Sequence, residues 1–416
     1  MILKKTTLLL VSLISSIAVA QESNSTTKNN FNFIGVGYTM GQTMPPLSIY
    51  PETKMQQGLD LTLGTTTFEN DSWAKLLNYP KTGILLSYAD FGNQEKVGCG
   101  ITLMPFFDFG ILNKVTDRIR FQVGLGGSYN NLIYDKVTNP GNHAISTHFT
   151  WAFRSFLYYD LVHRKDFNIK IGGGLTHFSN GHTRWPNLGL NSYLATIKTE
   201  FNFTKNTIPS TEKTIDADPS DTQTYYTTRL GLGYKTLFRN YNSLKNVYTA
   251  SFGIGRIKNK SFKYGLSFYY RFYEDYYDYI KEEGSIVTTH FSDLTNNPYQ
   301  NATAFGVFSS CEVLINHFSV EAELGINLYK PAYKLDWYVN NGSYTATGYI
   351  ADEFGTKAKI KQYISSRLGF RYYAITAKKA PKHNVFIAAT INSNLGQADF
   401  SELSFGYVYS PKSKNK

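Results

Sequence analysis

The sequence has 416 residues, a formal net charge of +11, only two cysteines, and an aromatic content of 16% that includes 32 Tyr and 29 Phe. Cys99 and Cys311 lie far apart in the chain, which excludes a disulfide-dense scaffold and a Cys-based zinc site. The eight His are scattered, no Gly-rich phosphate loop is present, and no cofactor or metal is indicated.

The chain opens with a targeting signature. Lys4 and Lys5 precede a short apolar run from Thr6 to Ile17, and Ala18-Val19-Ala20 supplies small residues for cleavage before Gln21. The run is too short and too rich in Ser and Thr for a membrane-spanning helix, which needs roughly 20 apolar residues. Residues 1–20 are therefore expected to be a signal peptide, and no later stretch reaches helix-spanning length. An exported, aromatic-rich chain without such helices can enter a membrane as a closed β-barrel, which leaves no backbone edge unpaired in lipid. For an exported barrel the positive charge suits anionic headgroups or a phosphorylated glycolipid, and nucleic acid is a poor partner.

Apolar and polar residues alternate over segments of about ten residues along most of the chain. Strands are expected near 31–41, 58–68, 82–92, 98–111, 119–134, 145–162, 167–180 and 190–204. In 145–162, Phe149, Trp151, Phe153, Leu157, Tyr159 and Leu161 share one parity and should face lipid. His148, Thr150, Arg154 and Asp160 share the other and should face inward. Residues 205–226 are polar, contain two Pro and lack periodicity, so they read as a linker or long loop. Strands resume near 227–238, 244–258, 262–276, 302–315, 318–330, 360–376, 383–393 and 399–409, with long extracellular connections at 277–301 and 331–359. The Tyr-rich run 269–279 should straddle an interface, and the tail PKSKNK is solvated. The expected fold is an all-β antiparallel transmembrane barrel of 12–16 strands. A single barrel is preferred over an eight-stranded barrel (21–204) followed by a second barrel-like half (227–416).

The hairpin 168–193 carries the polar groups of most interest. Ile169, Ile171, Gly173, Leu175, His177 and Ser179 share a parity, so His177 and Ser179 should lie on the lipid side. Gly181, Pro186 and Asn187 form the turn. In an antiparallel register with His177 opposite Asn191, the three polar groups gather near the loop end of the outer wall. Such a grouping suits a Ser nucleophile, a His general base and a third residue that orients the imidazole. A bare His-x-Ser also fits an interfacial strand end with no chemistry.

The pattern His177-Phe178-Ser179-Asn180 followed by Pro186-Asn187-Leu188-Gly189 resembles the lipid A 3-O-deacylase (PagL), acyloxyacyl hydrolase-like family of outer-membrane esterases. The likeness extends over about 31–204, whose eight expected strands correspond to that family's barrel. It implies that Ser179 attacks an acyl ester of lipid A while His177 removes its proton. Asn180, with backbone N–H groups near Gly181, would stabilise the oxyanion. Better-known members carry Glu where this chain has Asn191. An Asn can hold an imidazole tautomer but supplies no full charge, and Glu200 has the wrong parity to substitute. The resemblance thus allows a working triad-like site in a Gram-negative outer membrane, or a non-catalytic channel or structural barrel that keeps the hairpin. Gly172-Gly173-Gly174 should give a flat wall for acyl chains or a close strand contact. Thr390-Ile391-Asn392-Ser393-Asn394 echoes Thr176 to Asn180 without the His, by degenerate duplication or by coincidence.

Overall fold

The computed structural model describes residues 31–203 and 222–411, apart from 48, 67–73, 75, 76, 78, 113, 114, 346 and 347. The expected signal peptide and most of the expected linker lie outside the described residues. From Thr222 onward the segment expected to be linker is already strand.

Eight strands make a first closed antiparallel barrel: β1 (Phe33–Thr43), β2 (Gln56–Thr66), β3 (Lys81–Asp90), β4 (Cys99–Gly110), β5 (Ile119–Asn130), β6 (Phe149–His163), β7 (Phe167–Ser179) and β8 (Leu190–Asn202). The second half contains β9 (Thr222–Lys235), β10 (Lys245–Lys258), β11 (Phe262–Tyr273), β12 (Thr303–Ile315), β13 (Phe318–Tyr329), a short hairpin β14 (Gly342–Thr345) and β15 (Gly348–Ala351), then β16 (Ile364–Tyr373), β17 (His383–Asn394) and β18 (Gln397–Tyr409). All but β14 and β15 close a second barrel of eight strands.

The sixteen expected strands are thus the sixteen barrel strands, but they do not close as the single barrel preferred from sequence. β8 returns to β1, pairing Phe33 with Asn202 and Thr43 with Ser192. β18 returns to β9, pairing Ser401 with Tyr234 and Tyr409 with Tyr226. Eight strands leave an interior that side chains can just fill, and each half carries its own set of inward charges to fill it.

Within the first barrel, Glu200 binds Lys81, Lys170 and Lys198 at 2.7, 2.9 and 3.0 Å. Arg154 binds Asp60 at 2.6 Å, and Arg120 binds Asp108 at 2.5 Å. In the second, Arg367 and Arg371 converge on Glu321, and Arg371 also binds Glu312 at 2.9 Å. Such ions avoid the cost of burial only because each faces an opposite charge. Both interiors are therefore plugged by ion pairs. The outer walls are the reverse, with Ile84, Leu103, Leu157 and Ile171 exposed on one barrel and Leu230, Leu266, Leu324 and Leu403 on the other. These belts are the apolar bands that a lipid-embedded barrel presents.

The long connections expected as loops contain short helices: α1 (Glu274–Lys281), α2 (Ser285–His290), α3 (Pro298–Asn301), α4 (Tyr333–Asn340) and α5 (Thr356–Tyr363). None exceeds eight residues, so none shows a readable helical period. The Tyr-rich run turns from β11 into α1, and Tyr273, Tyr276 and Tyr279 pack with Ile280, Leu335 and Phe400 as a lid on the barrel mouth.

The two barrels meet at the end that carries the β7–β8 and β17–β18 turns. On the outer walls, Trp151 Nε1 donates to Ser401 Oγ at 2.9 Å. In the loops, Thr236 N–H donates to the His182 carbonyl at 2.9 Å. Trp185 N–H donates to Asn242 Oδ1 and Asn242 Nδ2 returns a bond to the Trp185 carbonyl, both at 2.9 Å.

Candidate active site

The β7–β8 hairpin is held from inside and from its neighbours. Phe178 and Leu190, on its inward face, are buried in an apolar cluster with Phe91, Val97 and Ile145. Behind the turn, Gly189 N–H donates to the Ala144 carbonyl at 3.0 Å, and Tyr50 Oη donates to the Gly189 carbonyl at 3.0 Å. The inward residues Phe178 and Leu190 thereby fix where the outward His177 and Asn191 stand.

The outward parity read from sequence holds for β7. Lys170, Thr176 and Phe178 are buried inside, whereas Ile171 and Leu175 are exposed outside. His177 pairs opposite Asn191 in the register, and His177 Nδ1 lies 2.7 Å from Asn191 Oδ1. An amide oxygen accepts, so Nδ1 carries the proton and Nε2 keeps its lone pair. Ser179 stands at the end of the strand, only 4% exposed. Its Oγ accepts from Asn187 Nδ2 at 2.9 Å and from Gly181 N–H at 3.2 Å. Among the described residues it has no hydrogen bond to His177, although both line one cavity of about 430 Å³ together with Asn187 and Asn191. Free hydrolases often hold nucleophile and base looser than the reacting complex does.

Asn180, expected as an oxyanion donor, has its side-chain amide engaged within the loop. Its Nδ2 donates to the Arg184 carbonyl at 2.7 Å and to Ser146 Oγ at 3.1 Å, while its Oδ1 accepts from the N–H of His182 and Thr183. An Asn with its amide so occupied organises the loop, an Asx-type role. Asn187 takes the position aimed at Ser179, and its Oδ1 also accepts from Asn180 N–H at 3.2 Å. In the sequence Asn187 signals only a turn; its amide reaches Ser179 because the loop folds back over the strand end. Gly181 adopts φ +66°, and a Cβ there would collide with Ser401 Oγ across the barrel interface. Both the left-handed backbone and the close approach require glycine.

His182 is a second residue that sequence reasoning leaves aside. Its Nδ1–H donates to the Ala398 carbonyl at 3.1 Å, and its Nε2 accepts from Trp185 Nε1 at 3.0 Å. Burial, with Lys235 nearby, holds this ring below the usual histidine range. The neutral form is the one these two bonds need.

The three glycines of β7 divide into two roles. A Cβ on Gly172 or Gly174 would strike Tyr158 or Phe156, so these two satisfy a close contact with β6. Gly173 faces outward, where a Cβ would meet only Leu194 O at 3.7 Å. It floors an open trough of about 770 Å³ on the outer wall, with Met40, Leu175, Tyr193 and Ala195 among its lining. Leu175 joins the trough to His177, two residues along the same face.

The echo Thr390–Asn394 ends β17, the seventh strand of its barrel, as Thr176–Asn180 ends the seventh of the first. Ile391 pairs with Ser401 where His177 pairs with Asn191. That equivalence of place favours a duplication over coincidence.

Residues 57–200 match the family model described as lipid A 3-O-deacylase (PagL). No curated protein matches the chain. Among solved structures, a bacterial polysaccharide outer membrane secretin is similar at 10% identity and a TM-score of 0.19, covering 93% of this chain and 100% of its own. An outer membrane channel from Pseudomonas putida F1 is similar at 9% identity and a TM-score of 0.17, covering 94% and 100%. Likenesses at that level carry no weight for function.

Proposed function

From the match of the first barrel to the lipid A 3-O-deacylase (PagL) family, we propose that this chain is an outer-membrane serine esterase that removes an ester-linked acyl chain from lipid A. The observation that carries the reading is the His177–Asn191 hydrogen bond on the outward face, beside Ser179 and at the head of an apolar trough. A hydrolase for water-soluble esters has no use for a site on a barrel's outer wall with an apolar trough beside it. An enzyme for esters embedded in a leaflet does.

In this reading Ser179 Oγ attacks the ester carbonyl as His177 Nε2 takes its proton. Negative charge on the carbonyl oxygen meets Gly181 N–H and Asn187 Nδ2, the two donors that otherwise sit on Ser179. Collapse expels the sugar hydroxyl, protonated by His177. Water then cleaves the acyl-Ser179 ester with the same base. Asn191 keeps the imidazole in the Nδ1–H tautomer throughout.

Lipid A from cells expressing wild type and Ser179→Ala, compared by mass spectrometry, tests the proposal. Wild type should yield a species lighter by one acyl chain, and Ser179→Ala should not. Identical acyl patterns would sink it.

The trough makes its own prediction. Gly173→Trp should fold normally, since nothing but Leu194 O lies near the new Cβ, yet fill the groove. Hydrolysis of long-chain esters should fall at least tenfold, because a displaced chain loses roughly 0.8 kcal/mol per methylene of burial, while a short soluble ester should be cleaved at the wild-type rate. Equal rates on long chains would remove the trough from the mechanism.

A further inference from the structure

The cavity that contains His177 and Ser179 is not built by the first barrel alone. Gly396, Gln397 and Ala398, from the turn between β17 and β18, form its far side. Asn394 pairs with Gln397, and Leu395 and Gly396 between them have φ +47° and +83°. This is a tight two-residue hairpin turn that gives Gln397 a fixed base.

Behind Gln397 stands a cation. Lys361 Nζ donates to Gln397 Oε1 at 3.0 Å, its one hydrogen bond among the described residues. With its carbonyl oxygen engaged, Gln397 has Nε2 left as a donor toward the cavity. Lys361 is half-buried on α5, whose sequence TKAKIKQY holds three lysines and no acid. Lys357 lies one helical turn away on the same face. Among the described residues no carboxylate forms an ion pair with Lys361, whereas nearly every other buried cation of this barrel has one. Burial and Lys357 both push its ammonium below the usual lysine range. Lys361 Nζ stands behind the cavity wall, in contact with the lining residue Gln397 and 5.9 Å from the centre of the Trp337 ring. A cation without a carboxylate partner among the described residues, one side chain from the cavity, is suited to an anionic occupant.

We propose that the β17–β18 turn and α5 form a headgroup wall for the first barrel's site, in which Gln397 Nε2 and Lys361 bind a phosphate of the acylated sugar whose ester Ser179 cleaves. The proposal rests on the esterase reading for the identity of the substrate. It gives the second barrel, whose own hairpin has Ile391 in the histidine's place, a part in positioning rather than in bond breaking.

The test uses the full-length protein in detergent micelles. In the Ser179→Ala background, binding of lipid A and of enzymatically dephosphorylated lipid A is measured directly, so that deacylation is not required. Lys361→Gln should weaken binding of the phosphorylated lipid about tenfold, the loss of one charge-assisted bond, and leave the dephosphorylated lipid unaffected. Gln397→Ala, a truncation at the first residue of β18, should do the same if Lys361→Gln fails to fold. Lys361→Arg should restore binding. With Ser179 present, Lys361→Gln should raise KM and keep kcat. Inorganic phosphate alone should not compete; competition would move the assignment to a free-phosphate site and overturn the headgroup wall. An equal loss for both lipids, or no binding of either by the Ser179→Ala protein, would also overturn it. Failure of wild type to deacylate, with phosphate-dependent binding intact, would instead remove the esterase reading and leave the wall standing.

Discussion

Replacing His177 by Gln is expected to lower lipid A deacylation by about 10²–10⁴-fold, the usual contribution of a positioned general base. Gln retains a side chain of similar reach on the outer wall but cannot accept the Ser179 proton. The Asn191 series is more discriminating. Asn191→Leu removes the acceptor 2.7 Å from Nδ1, so the ring loses its fixed tautomer. One neutral hydrogen bond contributes about 1 kcal/mol, and kcat should fall at least fivefold. Asn191→Asp keeps the shape and adds a charge opposite the imidazolium that forms in the reaction. Charge-assisted bonds are roughly twice as strong as neutral ones, so kcat should rise above wild type. Rates are read by mass spectrometry of the lipid product against the folded fraction. If Leu and Asp variants both match wild type, Asn191 has no part in orienting the base.

The outward face of that hairpin was legible because a strand's side chains alternate strictly. Once Ile171 and Leu175 are assigned to lipid, His177 follows, and an antiparallel register then brings Asn191 opposite. Loop geometry carries no such rule. Asn180 and Asn187 are equally good turn residues, and only the folded loop makes the first an internal brace and the second a partner of Ser179. The count of sixteen strands was legible for the same reason as parity, but closure was not. Whether β8 pairs with β1 or with β9 depends on register between strands far apart in sequence, to which local alternation is blind. The contacts that bring Gln397 into one cavity with His177 are longer in range still, linking residues on two barrels, and no local pattern points to them.

Glu200 was set aside as a catalytic carboxylate by its parity, and its surroundings say what it does instead. Fully buried, it binds Lys81, Lys170 and Lys198. Glu200→Leu would leave these three cations with Asp108 and Asp160, which lie 3.5 and 3.7 Å from Lys170 alone. Removing one partner from a buried ion network costs about 3–5 kcal/mol, because the remaining charge has no water to return to. The urea midpoint of the vesicle-reconstituted protein should fall accordingly. Deacylation per folded molecule should not, since Glu200 is nine residues along β8 from Asn191, roughly 30 Å at strand spacing. The same network sets buried, paired charges inside the barrel, so wild type in a planar bilayer should be non-conducting. A variant that loses specific activity in proportion to Glu200 removal, at unchanged stability, would return this carboxylate to the chemistry. Steady conductance by wild type would instead make the filled interior a pore, and with it revive the channel as the barrel's function.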